Sequence, residues 1–190
     1  MYDDAFESFP EIQTSRLKLR QLEIADVDDI YEYAKDQDAF TFTDGFPHEY
    51  DDVKFIIDVW RNETYNSRQF IRWAIELKTE EKVIGGVYFF APYGSDVSGR
   101  RMDMGIDISR KYWNKGYASE AIQAISYYGL TAMGLKRVQA QVLPDNVGSL
   151  RAFEKAGFMN EGILRNFCPF QTNGNNIRSM AMLSRIPEDL

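Results

Sequence analysis

Three short stretches of the chain carry residue types that could do chemistry together. In "RKYWNKGYASEA", residues 110–121, basic and amide side chains run into Gly116, and small residues with a glutamate then open a helix. The first N–H groups of a helix lack partners inside it, and its dipole adds partial positive charge. Gly116 and Ala118 would let a phosphate approach that backbone closely, and Lys115 would add a mobile cation. A plain helix start, with its small residues packed against a sheet, explains the same stretch, so both readings stand at this point. In "NVGS", Asn146 and Ser149 are three residues apart, one turn along one helix face. Asn146 suits an N-cap, and Ser149 brings a hydroxyl to the same side. In "RMDMGIDIS", Asp103 and Asp107 flank Gly105 at a period of two, so all three share one face of a strand. A carboxylate there could act as general base, or could simply be a strand residue paired with Arg100 or Arg101.

Two further residues invite the question. His48 is the only histidine and titrates in a useful range, but its loop "TFTDGFPHEY" suits an ordinary loop residue as well. Cys168, the only cysteine, has no histidine near it in sequence and reads as a small buried apolar residue. Neither of the phosphate-loop patterns GxGxxG and GxxxxGK[ST] occurs in the chain.

These stretches need a framework to position them. The chain has 190 residues, 44% of them hydrophobic and 27% charged, enough for a substantial core in a single domain over 1–190. A net charge of -7 argues against nucleic acid as a partner. The acidic, interrupted start "MYDDAFESFPEIQ" is unlike a signal peptide, and no apolar run is long enough to span a membrane. The expected location is the cytoplasm. With one cysteine no intrachain disulfide is possible.

Periodicity predicts a strand over 16–21, a helix within "EIADVDDIYEYAKDQ", an aromatic loop at 37–48, and a helix from about Asp51 to Glu63. Three strands follow at 70–77, 82–90 and 101–109, the first two joined by "KTEE". A helix from Gly116 to about Met133 leads to a strand at 137–143. The next helix is capped by Asp145 or Asn146 and stopped by Gly157, and strands near Asn160–Phe167 and Ile177–Ser184 end the chain. This order predicts a mixed α+β domain and disfavours a doubly wound nucleotide-binding fold.

"YWNKGYASEA" (112–121) followed by "NVGSLRAFEKAGF" (146–158) resembles the GNAT superfamily of N-acetyltransferases, and more narrowly its RimJ/RimL branch, named for enzymes acetylating N-termini of ribosomal proteins. The likeness runs from "TSRLKLRQLEIADVDDIY" to the last strands. It implies an α+β GNAT-like fold, a mixed and largely antiparallel central sheet of about seven strands flanked by about four helices. It also implies acetyl-CoA as cofactor. The pyrophosphate would lie on the turn formed by Trp113, Asn114, Lys115, Gly116, Tyr117, Ala118 and Ser119, and the pantetheine arm along Ile106, Asp107 and Ile108. Asn146 would contact the cofactor and Ser149 would lie near its sulfur.

Two departures stand out. The superfamily pattern is Q/R-x-x-G-x-G/A; Trp113 stands where Gln or Arg is usual, and Asn114 where the branch often has glycine. Asn tolerates left-handed backbone better than most residues and can substitute there. Many relatives carry a tyrosine acid just before "EK"; here that position is Phe153, which leaves Ser149, four residues earlier, as the hydroxyl on the same face. The resemblance thus points to acetyl transfer onto an amine, with a protein or peptide N-terminus foremost, Asp103 as base and Ser149 as thiolate stabiliser. Phe40, Phe42, Phe46 and Tyr50 either wall an acceptor pocket or anchor a loop. A small-amine acetyltransferase, a non-catalytic acyl-CoA-binding module and an unrelated nucleotide-binding domain are the competing readings. A homodimer is admitted.

Overall fold

Eight strands form one sheet in the order β1-β2-β3-β4-β5-β6-β8-β7, antiparallel except where β5 meets β6. The computed structural model describes residues 2–42, 46–95, 97–170 and 176–190; of residues 64, 168–170 and 176 it describes the backbone alone. The strands are β1 (Ile12–Gln13), β2 (Leu17–Gln21), β3 (Phe70–Leu77), β4 (Lys82–Ser95), β5 (Gly99–Ile108), β6 (Arg137–Val142), β7 (Met159–Phe170) and β8 (Asn176–Arg185). The helices are α1 (Asp4–Glu7), α2 (Val27–Ala34), α3 (Tyr50–Val59), α4 (Tyr117–Thr131) and α5 (Val147–Lys155).

Alternation along the strands, interrupted at bulges, splits the apolar side chains into two cores, one on each face. Ile71, Trp73, Phe89, Met102 and Met104 face α4 and α5, where they meet Ile122, Ile125 and Phe153. Leu22, Ala74 and Val83 face α2 and α3, where they meet Ile30, Val53 and Ile57. The expected elements are present, with small shifts at their ends. The sheet gains a short β1 that the sequence did not signal, because two residues cannot show a period. The chain likewise gains α1, a single turn whose Ala5 is buried. The helix expected to reach Glu63 changes at Trp60 into one π turn, Trp60–Thr64, that carries the Trp60 ring toward the sheet. No helix among the described residues is long and apolar enough to cross a membrane.

Strand pairing breaks off at one place inside the sheet. β5 and β6 pair at Arg101–Arg137, Met102–Val138 and Asp103–Gln139 only. β5 then continues to Ile108 beside β4, and β6 to Val142 beside β8, without pairing each other. The sheet therefore opens into a cleft whose apex is Asp103 and Gln139. Among the described residues, one backbone edge of Met104–Ile108 has no partner strand.

Candidate active site

The cleft opens toward the turn that links β5 to α4. Ser109 anchors its start, donating from its N–H to the Ile84 carbonyl at 2.8 Å. A 3-10 turn, Arg110–Tyr112, follows; the Tyr112 hydroxyl donates to Glu80 at 2.6 Å. Burial and Glu80 both push that phenol well above its ordinary range. Trp113 turns its indole back, and Nε1–H donates to the Ile108 carbonyl at 2.7 Å. The residue that departs from the family pattern thus tethers the turn to the end of β5. Asn114 is left-handed at φ 60° and Gly116 at φ 80°. The asparagine does occupy the conformation a glycine would take, and Gly116 is the N-cap of α4.

This geometry leaves Tyr117, Ala118 and Ser119 at the first positions of α4, with N–H groups that the helix itself does not use. A glutamate in the same first turn would repel an anion, yet Glu120 is drawn aside. It accepts from the Thr14 hydroxyl at 2.6 Å, the Ser15 hydroxyl at 3.0 Å, the Arg16 N–H at 2.9 Å and Arg16 Nε at 2.6 Å. Burial alone would raise its carboxyl; these donors bring it below the usual range. Arg16 also donates to the Lys115 carbonyl at 2.9 Å and lies 4.5 Å from the centre of the Tyr117 ring. Sequence reading assigned Arg16 only to a strand start. The polar run Thr14-Ser15-Arg16 ahead of β2 was the available signal. Lys115 itself rests its ammonium over the Tyr112 ring at 5.2 Å.

On the other side of the cleft, α5 begins with Asn146 as its cap, the Oδ1 accepting from the Ser149 N–H at 3.1 Å. Asp145, the alternative cap, instead pairs with Arg178 at 2.7 Å. Phe153 is 2% exposed and meets Phe158 edge-on at 5.0 Å between ring centres. It is a core side chain.

At the apex, Asp103 is 8% exposed. Its partners are not the neighbouring arginines the sequence suggested. Gln139 donates to one carboxylate oxygen at 2.7 Å and Gln141 to the other at 3.0 Å. Burial raises the carboxyl above its ordinary value, opposed by the Gln139 hydrogen bond and the charges of Arg101 and Arg137. A pocket of about 390 Å³ lies over it, lined by Tyr93, Arg101, Gln139, Gln141, Phe167 and Met182 among others.

Asp107 shares the face of Asp103, as expected, but its side chain is committed elsewhere. It accepts twice from Arg72 Nη2, at 2.7 and 2.9 Å, and from the Tyr33 hydroxyl at 3.1 Å. Both ends of that pair are buried, at 3% and 7% exposure. Burial would lower Arg72, and Asp107 more than restores it. The guanidinium lies 4.2 Å from the Trp60 ring centre and 5.1 Å from that of Tyr88. A Cβ on Gly86 would stand 2.3 Å from Arg72 Nη2, so only glycine leaves room for this clamp. Burial also pushes the Tyr88 phenol up to about 12. Arg72 escaped sequence reading, although a lone charge in "FIRWAIEL" was its signal. Asp107 thus retains only its backbone for a ligand in the cleft, as do Ile106 and Ile108, whose side chains pack on the core.

The loop residues divide clearly. His48 donates from Nδ1 to the Ala34 carbonyl at 2.5 Å and meets the Phe40 ring edge-on. Phe40 and Phe46 stack at 4.2 Å, and Phe46 reaches Trp60, so these aromatics anchor the loop to the core. The Tyr50 hydroxyl donates to Asp28. Residues 43–45 of that loop and the side chain of Cys168 lie outside the described residues. Among the described residues no cluster of His, Cys, Asp or Glu could hold a metal. What remains is a cleft with an open strand edge, an anion-receptive helix start at one end and a buried carboxylate at the other.

Residues 16–159 match the Acetyltransferase (GNAT) domain family. The chain is 32% identical over 171 residues to the uncharacterised N-acetyltransferase YoaA of Bacillus subtilis, covering 87% of this chain and 94% of that protein. It superposes on a GNAT-family acetyltransferase from Bacillus anthracis with a TM-score of 0.81 at 27% identity, covering 94% of this chain and 99% of the other. It shares its fold with Mycobacterium smegmatis RimJ, solved in complex with CoA-disulfide, at a TM-score of 0.79 and 19% identity over 92% of this chain and 83% of the other. On these matches the chain belongs to the GNAT family of acetyltransferases.

Proposed function

We propose that the chain, acting as one domain, transfers an acetyl group from acetyl-CoA to a primary amine, with a protein or peptide N-terminus as acceptor in the manner of RimJ/RimL-like enzymes. The observation that carries this is the parting of β5 and β6 at Asp103–Gln139, directly between the Gly116-capped α4 and the Asn146-capped α5.

The residues fit the cofactor. Two left-handed positions separated by one residue, Asn114 and Gly116, with the free first-turn N–H groups of α4, suit a pyrophosphate. The unpaired edge of Met104–Ile108 suits amide groups that seek strand-like hydrogen bonds. The side-chain amide of Asn146 keeps its N–H groups available beside them, since its oxygen serves as the cap.

Acetyl-CoA supplies the acetyl group as a thioester. The β5 edge offers N–H groups to a carbonyl developing negative charge. As the amine nitrogen bonds to the carbonyl carbon and the C–S bond breaks, Asp103 accepts the proton the nitrogen sheds, directly or through water. Its raised proton affinity, set by burial, suits that role. Ser149, on the first turn of α5, presents its hydroxyl to the departing sulfur. Phe153 is sealed in the core and has no proton to offer, so a thiol of pKa about 8.5 must leave with this modest help.

Thiol release from acetyl-CoA in the presence of peptides and small amines, with mass spectrometry of the acceptor, tests the proposal. N-acetylated product supports it. Tight acetyl-CoA binding with no product from any amine would identify a non-catalytic acyl-CoA-binding module, the reading that Phe153 favours.

A further inference from the structure

The pocket over Asp103 also holds the guanidinium of Arg101, whose charge acts on Asp103 without forming an ion pair with it. Arg101 stands two residues before Asp103 on β5, hence on the same face, about 6.6 Å away along the strand. Its guanidinium lies 4.8 Å from the centre of the Tyr93 ring. A bulge in β4 brings this about. Phe90 pairs with Asp103, but Tyr93 pairs with Arg101, so one extra residue sits on the β4 side and Tyr93 turns to the pocket face. Arg101 makes no ion pair with any carboxylate among the described residues. Its cross-strand neighbour Arg137 does: it grips Glu161 through two bonds, at 2.7 and 2.5 Å.

Asp103 is arranged differently from Arg101. Both its oxygens already accept from glutamine amides, and the Gln141 oxygen has no partner among the described residues. An ammonium or amine entering the pocket thus meets a carboxylate and an amide oxygen. At the same time the Arg101 guanidinium, set against the Tyr93 ring, presents donors in the same pocket. Guanidinium groups favour planar two-oxygen anions such as carboxylates. The rest of the lining, Ala91, Pro92, Phe167 and Met182, is apolar.

From the placing of Arg101 and Asp103 side by side in one pocket we infer that the preferred acceptor carries a carboxylate close to its amine. This rests on the transferase reading above and narrows its acceptor. The same chemistry is offered by a peptide whose first residue is Asp or Glu and by a free amino acid.

The test compares acetylation of matched acceptors by the full chain: tripeptides beginning Asp or Glu against Asn or Gln, free amino acids against their amides, and a polyamine. A kcat/KM about tenfold or more higher for the carboxylate member is expected, the range of a charge-assisted hydrogen bond. The peptide and amino-acid arms show which source the pocket takes. Arg101→Gln should erase the ratio between matched members, and Arg101→Glu should reverse it toward cationic acceptors. Equal rates for matched members, or a ratio that survives Arg101→Gln, would overturn the inference while leaving the transferase standing. Absence of product from every amine would overturn both.

Discussion

Asp103 and Gln139 are joined twice. They are the last backbone-paired positions of β5 and β6, and the Gln139 amide donates to the Asp103 carboxylate at 2.7 Å. The amide cannot be turned around. Arg137 Nε donates to its oxygen at 2.8 Å, and an arginine has only donors, so the NH₂ must face Asp103. Arg137 is held in turn by Glu161, whose carboxyl it draws down to about 2, and Ser184 donates to Glu161 at 2.6 Å. A chain of oriented hydrogen bonds thus runs from the edge of the sheet to the proposed base.

If Asp103 takes the proton, Asp103→Asn should lower kcat by roughly 10²- to 10⁴-fold with little change in acetyl-CoA affinity. The wild-type rate should fall as pH drops through a value above the ordinary one for an aspartate, because burial raises this group. Gln139→Leu removes a hydrogen bond that favours the charged form, so the acid limb of kcat/KM should move to still higher pH. A limb that stays in place in that variant would separate Asp103 from the base role.

Gly116 at φ 80° is the second pivot. Gly116→Ala forces a side chain into left-handed backbone at a cost of about 1–2 kcal/mol, and the turn should relax away from that shape. Calorimetric titration should show weaker acetyl-CoA binding, with the melting temperature falling by a few degrees. Undiminished affinity would argue that the turn does not hold the pyrophosphate.

Ser149→Ala should leave the α5 cap intact, because the cap uses the Ser149 N–H and not its hydroxyl. Turnover is expected to fall about 10- to 100-fold, the value of a hydrogen bond to a charged sulfur, while acetyl-CoA affinity barely moves. Equal losses in both would reduce Ser149 to a cofactor contact, and unchanged turnover would remove it from the chemistry.

The Arg72–Asp107 pair predicts a stability effect. Arg72→Met strands a buried carboxylate and should cost about 3–5 kcal/mol in denaturant unfolding. Replacing both partners with apolar residues should cost markedly less than the sum of the single changes. Additive losses would show that the two charges do not depend on each other.

Much of this architecture is legible along the chain. Period-two runs such as "FIRWAIEL" and the helix starting at Gly116 announce themselves locally, because alternation and capping are short-range properties. The helix-start turn is legible for the same reason: its lysine, glycine and small residues lie within a few positions of one another. Even the Asn114 substitution follows from its own backbone preference, which the structure bears out at φ 60°.

The partners could not be read in this way. Glu120 meets Thr14 and Arg16 across more than a hundred residues, and Asp103 meets Gln139 and Gln141 across 36 and 38. The sequence by itself determined which segments are strands and helices, where the helix-start turn lies and that two carboxylates share one face of β5. Only the tertiary structure decided that one of those carboxylates is spent on Arg72 while the other sits at the apex of a cleft. The physical reason is that strand order and register set side-chain neighbours. Both arise from burying two cores against one sheet, a global condition that no local period encodes.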